Sequence, residues 1–313
     1  MAAFIDAKKR DWLGGLSRGL IAAGLPPIGD AVLPFYGNAF AQRIREYEDQ
    51  GGRRPELELG TAVDDEREKE ERALLATKSA ALDGLLRRLD FDPARELVYS
   101  EPALAAHAAE RGVTTAEELG WEDFLRVPVL RAGLGFLARK TGIAAEVIEE
   151  FLTDVAYYLE LPAMRDGVLE IVEADLERAA PDGGPVVVVG HSLGSVVAYD
   201  LLAGLDSRWQ VRLFVTAGSP LGLPVVAANL RGKVPGHPPE VPAAVPVQPG
   251  SWVNAYDVRD VVALIHPLAP VFAPAVALQV DDQRTRNATD PHSIADYLSD
   301  PDIAGPIGRV LRQ

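Results

Sequence analysis

The second half of the chain alternates short apolar runs with segments of helical spacing. Residues 186–190 read VVVVG and residues 211–218 read VRLFVTAG, and each run is apolar enough for a strand that is buried on both faces. The segment between them has the length of a crossover helix. Because a strand, helix, strand unit pairs its strands in parallel, the pattern predicts an α/β fold with a mostly parallel sheet and helices on both faces. Further on, SWVNAYDV and AVALQVDD predict two more strands, and HSIADYL predicts a final helix.

The first half is dominated by helix formers. Phe4 and Ile5 predict a very short first strand, DWLGGLSRGLIAAG predicts a helix, and LPFYGNAF predicts a turn or a second short strand. Residues 60–150 predict a helical insertion, or cap, in which the mixed charges of residues 64–72 indicate a solvated helix face. We expect one α/β domain over residues 1–313, with this insertion inside it.

Composition narrows the classes of function. The net charge of -15 argues against nucleic acid as a partner, because both partners would be polyanions. The absence of cysteine excludes disulfides, thiolate catalysis and metal sites built on sulfur, and we expect no metal and no organic cofactor. The first residues carry charges where a secretory signal needs an apolar core, so we expect a cytoplasmic protein. The apolar run at residues 261–280 contains three prolines, which favours a buried loop and a strand over a membrane span.

The stretch GHSLG joins the first of these strands to the helix that follows it. Gly190 and Gly194 flank Ser192, as a sharp strand-to-helix turn requires when the backbone is strained and neighbouring atoms approach closely. We therefore predict a nucleophile elbow, with the Ser192 hydroxyl held at the carboxyl end of the sheet. The alternative is a structural glycine turn whose serine takes no part in chemistry.

A neutral serine hydroxyl is a weak nucleophile, so it needs a base and an acid that orients the base. In this type of sheet both partners follow the serine, acid first, on loops after later strands. Asp257 and Asp260 both follow the strand WVNAYD and are the candidate acids. His292, between the next strand and the last helix, is the candidate base, and His266 is the alternative.

Four motifs together resemble those of the α/β-hydrolase superfamily, and in particular its lipase-like and esterase-like members: VVVVGHSLGSVVAYDLL, FVTAGSPLGLP, WVNAYDVRDVVA and DPHSIADYL. The resemblance extends over residues 150–300 and, loosely, over the first 40 residues. It implies four site groups, namely the nucleophile Ser192, the acid Asp260, the base His292 and the backbone N–H of Leu193 as an oxyanion donor. It also implies that the turn at residues 218–221 lines the site.

The chain departs from this family near its start. Members carry a strand that ends in His-Gly, and the loop after it supplies the second oxyanion N–H. Here the corresponding place reads AFIDAKKRDW, with Asp6 and Ala7 where histidine and glycine are expected. A backbone N–H near Ala7 is therefore the candidate second donor. Losing one such donor costs roughly a hundredfold in rate, so an incomplete hole would make the protein slow or inactive.

The resemblance implies a serine hydrolase that cleaves a carboxylic ester through an acyl-enzyme. The apolar residues of the insertion and of residues 261–280 favour a lipophilic small-molecule substrate. Two alternatives remain open. The chain could be a weak or inactive homologue that acts as a binding or assembly module, or an acyltransferase that uses the same triad.

Overall fold

A computed structural model describes residues 2–52, 154–181, 183–234, 237–260, 262–263, 265–272, 279–288 and 290–312. The chain divides into two compact units, Met1–Gly52 with Tyr157–Gln313, and Arg53–Ala156. Every element given below belongs to the first unit. The helical insertion predicted for residues 60–150 lies outside the described residues.

From residue 185 onward the first unit contains the four predicted strands, the crossover helix and the helix of HSIADYL in the predicted order, and two further helices that were not predicted, Pro224–Ala228 and Pro301–Val310. The helices are α1 (Ala2–Ala22), α2 (Gly37–Asp49), α3 (Pro162–Ala179), α4 (Leu193–Ala203), α5 (Pro224–Ala228), α6 (Ile294–Ser299) and α7 (Pro301–Val310). The strands are β1 (Pro185–His191), β2 (Gln210–Ala217), β3 (Trp252–Asp257) and β4 (Val280–Thr285). Short 3-10 turns lie at Pro220–Gly222 and Ala269–Val271.

The four strands form one parallel sheet in the order β1-β2-β3-β4. The α/β class with a parallel sheet and flanking helices is thus confirmed. Because all four strands run the same way, their carboxyl ends meet at one edge of the sheet. His191 is paired there with Ala217, and Asp257 with Thr285. The loops that follow these residues carry the predicted site.

One face of the sheet is covered by α1, α6 and α7. Alternate residues of β2 and β3 point to this side, as the two-residue period of a strand requires. They join one apolar core with helix residues: Leu213, Val215, Ala217, Val253, Ala255, Leu16, Leu20, Tyr297 and Ile303. The approach of α1 to α6 is close, since a Cβ on Gly15 would lie 2.7 Å from the Cα of Ala295. This contact fixes α6, the helix that begins just after His292.

The opposite face combines aromatic packing with a buried polar ladder. The Trp252 ring lies 4.9 Å from that of Phe214 between centroids. Beside it, Thr216 donates to Asn254 at 2.8 Å, and Asn254 donates to Asp282 at 2.7 Å. Buried polar groups are stabilising only when they are paired, as these are. The ladder joins β2, β3 and β4 below the site edge.

Helix α4 is clamped to α3 through a buried carboxylate. Asp200 is fully buried and accepts hydrogen bonds from Arg165 at 2.6 Å, Tyr158 at 3.0 Å and the backbone N–H of Arg231 at 2.8 Å. A buried charge with several donors is satisfied, whereas loss of its partner is strongly destabilising. The clamp holds the helix that starts at the GHSLG turn.

Two predictions about the first residues need correction. The strand predicted at Phe4 and Ile5 is wrong, because both residues lie in α1. The run AAFIDAKKRDWLGG is rich in good helix formers, and two apolar residues are too few to outweigh that propensity. The segment LPFYGNAF, predicted as a turn or a second short strand, contains the start of a helix, because α2 begins at Gly37.

The apolar run at residues 261–280 is irregular where it is described. It includes the 3-10 turn Ala269–Val271 and ends at the start of β4, as its prolines predict. Of the helices within the described ranges, none combines the length and apolar character that a bilayer crossing needs.

Candidate active site

The GHSLG turn has the strained backbone that an elbow requires. Ser192 has φ 56° and ψ -135°, and it is the one non-glycine residue with positive φ in the described part of the chain. A Cβ on Gly190 would lie 2.6 Å from the Cα of Ser195, so only glycine fits at that position. Such a conformation costs on the order of 1–3 kcal/mol and persists where surrounding structure enforces it. Here that structure is β1 on one side and α4 on the other.

Asp260 and His292 are in direct contact. The Nδ1 atom of His292 lies 2.8 Å from Oδ2 and 3.0 Å from Oδ1 of Asp260. Asp260 is 2 % exposed, and its other contacts are hydrogen bonds from the backbone N–H of Val262 at 2.9 Å and from the hydroxyl of Tyr297 at 2.7 Å. A carboxylate held in this way fixes both the tautomer and the orientation of the imidazole.

The alternative acid, Asp257, is engaged elsewhere. Arg259 donates to it through Nε at 3.0 Å and through a terminal nitrogen at 2.6 Å, and the backbone N–H of Asn287 donates at 2.7 Å. Burial raises the pKa of Asp257, but the hydrogen bonds of Arg259 and Asn287 outweigh burial, so the pKa is lowered overall. This carboxylate ties the end of β3 to the loop after β4, while Asp260 faces the imidazole.

Ser192 lies next to residues that contact the His292–Asp260 pair on two sides. Its backbone N–H donates to the carbonyl of Ala217 at 3.2 Å, and a Cβ on the next residue, Gly218, would lie 2.9 Å from Nδ1 of His292. On the other side, the ring of His191 lies 4.4 Å from that of His292, and its Nε2 lies 2.9 Å from the His292 carbonyl oxygen. The structure thus brings the elbow and the pair to the same edge of the sheet.

Gly218 packs directly on the pair, and replacing it should disturb both folding and the site. Its φ is +54°, and a Cβ there would lie 2.6 Å from Oδ2 of Asp260. We expect Gly218→Ala to lower the free energy of unfolding by about 1–3 kcal/mol and to lower turnover. Gly232→Ala is the matched control, because Gly232 has φ +81° with open space around it. Denaturant unfolding and ester turnover of both variants measure the difference; equal turnover would contradict the packing argument.

The two histidines at the edge differ in charge state. Burial disfavours the charged form of His292, but the attraction and hydrogen bond of Asp260 outweigh it and raise the pKa of His292 above its ordinary 6.5. Burial, followed by the nearby His292, lowers the pKa of His191 well below that value. His191 is therefore a neutral ring that donates its Nε2–H to the His292 carbonyl, and only His292 is placed to accept a proton near neutral pH.

The raised pKa of His292 predicts a pH dependence. A general base works only when neutral, so the role predicted for His292 implies that ester turnover falls as the pH drops through the pKa of His292, with a midpoint above 6.5. The profile of kcat/KM against pH for a p-nitrophenyl ester measures this midpoint in the free protein. Asp257→Asn, which leaves the His292–Asp260 contact in place, should not move it. A midpoint below 6.5 in the wild type would contradict the assignment of Asp260 as the charge beside His292.

The alternative base and the candidate second donor lie in other surroundings. His266 places Nδ1 2.8 Å from the Ala263 carbonyl and stacks on Tyr256 at 4.4 Å, while the imidazole on Asp260 belongs to His292. Ala7 lies inside α1, where a backbone N–H past the first turn donates to the carbonyl four residues earlier. The suggestion that Ala7 supplies an oxyanion N–H therefore needs correction.

Sequence reasoning missed two residues that hold the candidate acids: Tyr297, which binds Asp260, and Arg259, which binds Asp257. The Tyr297 hydroxyl donates to Asp260 and accepts from the backbone N–H of Asp257 at 2.9 Å. Burial and then Asp260 raise the pKa of Tyr297 well above its usual range, so it remains a neutral donor. The one available signal was that Tyr297 follows His292 by five residues, in the segment HSIADYL that predicts a helix. For Arg259, its position two residues after Asp257 gave no indication of a bidentate pair.

An apolar groove of about 550 Å³ adjoins the elbow. Its lining includes Gly190, His191 and Gly194 of the turn and the residues of β1 before them, but none of Ser192, Asp260 and His292. Most of the other lining side chains are apolar, and Asp30 and Asp175 also line the groove. The apolar ones include Trp12, Leu16, Ile28, Leu33, Val197 and Leu201. A concave, mostly apolar space with a few polar groups at one end is typical of small-molecule sites.

Comparison with known proteins gives no relative from which a role could be transferred. Family models, curated proteins and solved structures were compared with the chain, and none of them matches it. The function is therefore argued from the site geometry alone.

Proposed function

We propose that the protein is a serine hydrolase of the α/β-hydrolase kind that cleaves a carboxylic ester through an acyl-enzyme. The observation that carries the proposal is the pair formed by buried Asp260 and half-buried His292, which lies beside a strained turn at Ser192. Either feature alone has a structural explanation. Their meeting at the carboxyl edge of a parallel sheet, in the chain order serine, acid, base, supports a catalytic arrangement.

In this mechanism Nδ1 of His292 remains bonded to Asp260, so Nε2 is the nitrogen that exchanges protons with Ser192. The Ser192 Oγ attacks the ester carbonyl carbon as its proton moves to Nε2. The C–O bond to the alcohol then breaks, and the imidazolium returns the proton to the leaving alkoxide. Water repeats the sequence on the acyl-enzyme and releases the acid. Asp260 stabilises the imidazolium at each stage.

The developing oxyanion needs a hydrogen-bond donor, and the backbone N–H of Leu193 is the candidate. It is the first residue of α4, so its backbone N–H has no partner within the helix. The positive end of the helix dipole adds to the attraction for negative charge. Such donors act on charge that develops only in the transition state, which is why they raise kcat.

The groove beside the elbow supports a lipophilic substrate. It is large enough for an acyl chain or a comparable apolar group, and most of its lining side chains are aliphatic or aromatic. Burial of such a group gains roughly 25 cal/mol per Å² of apolar surface.

A second candidate function, a binding module with weak or no turnover, is favoured by one observation. Ala7 is in a helix, so the backbone N–H of Leu193 is the single oxyanion donor assigned within the described residues. A hole with one donor stabilises the transition state less than a hole with two, which lowers turnover. Acyl transfer to an acceptor other than water uses the same groups, and products formed with and without added alcohol distinguish it from hydrolysis.

A fluorophosphonate probe tests the proposal, because it forms a covalent bond only with an activated serine. We expect labelling of the folded wild type and none of Ser192→Ala, since the nucleophile would be gone. Ser251→Ala is the matched control, because Ser251 is buried before β3, at the opposite end of the strand from the site. Labelling that persists in Ser192→Ala, or a folded wild type that is never labelled, would overturn the hydrolase. Binding of apolar esters without labelling would support the second candidate.

A further inference from the structure

Two buried serines beneath the elbow are not used by the mechanism given above. Ser195 is fully buried in the first turn of α4, and Ser219 is 3 % exposed just after β2. The Ser195 hydroxyl lies 2.6 Å from the carbonyl oxygen of Ser192 and 2.7 Å from the hydroxyl of Ser219. The backbone N–H of Leu221 donates to Ser219 at 3.2 Å. The two hydroxyls therefore form a continuous connection from the residues 219–221 turn to the elbow.

The direction of the protons in this connection is determined by its two ends. A carbonyl oxygen can only accept, so the single hydroxyl proton of Ser195 points to Ser192. Ser219 must then donate its own proton to Ser195, and its oxygen accepts from the N–H of Leu221. Each hydroxyl has its donor and its acceptor satisfied, so the chain has one orientation and holds both side chains in place.

The carbonyl at the end of this chain belongs to the peptide group that contains the N–H of Leu193. A trans peptide is planar, so its C=O and N–H point in opposite directions. The Ser192 carbonyl also accepts from the backbone N–H of Ser195 at 2.9 Å. Both bonds draw the carbonyl into the helix, so the Leu193 N–H points outward. They also oppose relaxation of Ser192 from its strained φ of 56°.

We propose that Ser195 and Ser219 are positioning residues that orient the Leu193 N–H toward the oxyanion, an inference that rests on the proposed function. Neither hydroxyl touches the substrate. Their effect is to restrict rotation of the peptide group between Ser192 and Leu193, so that the donor is already aligned when charge develops. Preorganised donors of this kind contribute to kcat and little to substrate binding.

The experiment compares Ser195→Ala, Ser219→Ala and the double variant. For Ser195→Ala we expect kcat for a p-nitrophenyl ester to fall about 10-fold, with KM changed less than about 2-fold. Ser219→Ala should have a smaller effect, because Ser195 keeps its bond to Ser192. The double variant should be no worse than Ser195→Ala, since the two hydroxyls act through one chain. The inhibition constant of an aryl boronic acid, which forms a tetrahedral adduct with the nucleophile, should rise by the same factor as kcat falls.

Ser251→Ala is the matched control for stability. The Ser251 hydroxyl is buried and donates to the Pro246 carbonyl at 2.6 Å, the same length as the bond from Ser195 to Ser192. It should lower the melting temperature like Ser195→Ala and leave kcat unchanged. A folded Ser195→Ala with wild-type kcat, or a loss of kcat that Ser251→Ala reproduces, would overturn the positioning role. If Ser195→Ala does not fold, Ser219→Ala provides the test. An inhibition constant of the boronic acid that is unaltered in Ser219→Ala would overturn the positioning role. A wild type that is not labelled by the fluorophosphonate would instead refute the proposed function.

Discussion

Replacing Ser192 or His292 by alanine should lower kcat for a p-nitrophenyl ester by about 10⁴-fold or more, and replacing both should lower it no further. The reason is that, in the proposed mechanism, the nucleophile and the base act as one unit. Without the imidazole the hydroxyl keeps its proton, and without the hydroxyl the imidazole has no proton to accept. The measurement is steady-state turnover of the two single variants and the double variant, with correction for spontaneous hydrolysis.

The control for this experiment is a change that leaves the edge of the sheet intact. Ser251→Ala should keep wild-type turnover, and the circular dichroism of every variant should match that of the wild type. A double variant whose loss equals the product of the single losses would mean that Ser192 and His292 act independently. In that case the proton transfer from Ser192 to His292 proposed here would not operate.

The parallel sheet could be predicted because its sequence signals are local and consistent. The four-valine run, the crossover helix and the later apolar runs each agree with a parallel sheet. The first residues gave conflicting signals, since Phe4 and Ile5 favour a strand whereas their neighbours favour a helix. Local propensity over a long window prevailed there, and α1 extends through Ala22.

The site could be predicted in part, for a similar reason. Glycine spacing around Ser192 and the chain order of later acids and histidines are visible in the sequence. The choice between Asp257 and Asp260 is not, because both follow the same strand within a few residues. The difference between them lies in their partners. Arg259, two residues away, binds Asp257, whereas His292, which is distant in the sequence, binds Asp260. The hydroxyl chain beneath the elbow likewise needs the fold, since 24 positions separate Ser195 from Ser219.

The two aspartates should therefore respond differently to the same substitution. Asp260→Asn should lower kcat by about 10⁴-fold. The amide oxygen is a weaker acceptor for Nδ1–H of His292 than a carboxylate, and if the amide turns, its NH₂ group donates to Nδ1 and selects the wrong tautomer. Asp257→Asn should lower kcat less than about tenfold. It should instead reduce the free energy of unfolding by about 1–3 kcal/mol, because Arg259 and the N–H of Asn287 lose a charged acceptor.

Turnover and urea unfolding, measured on the same preparations of the two variants, separate these effects. Asp260→Asn should retain most of its stability, since the amide oxygen still accepts from Tyr297 or from the N–H of Val262. Its remaining activity should also show an acid limb at lower pH than the wild type, because His292 has lost the negative charge that raises its pKa. Equal losses of turnover in the two variants would show that Asp260 has no special relation to His292. A larger loss in Asp257→Asn would transfer the role of acid to Asp257 and require the loop after β3 to rearrange before catalysis.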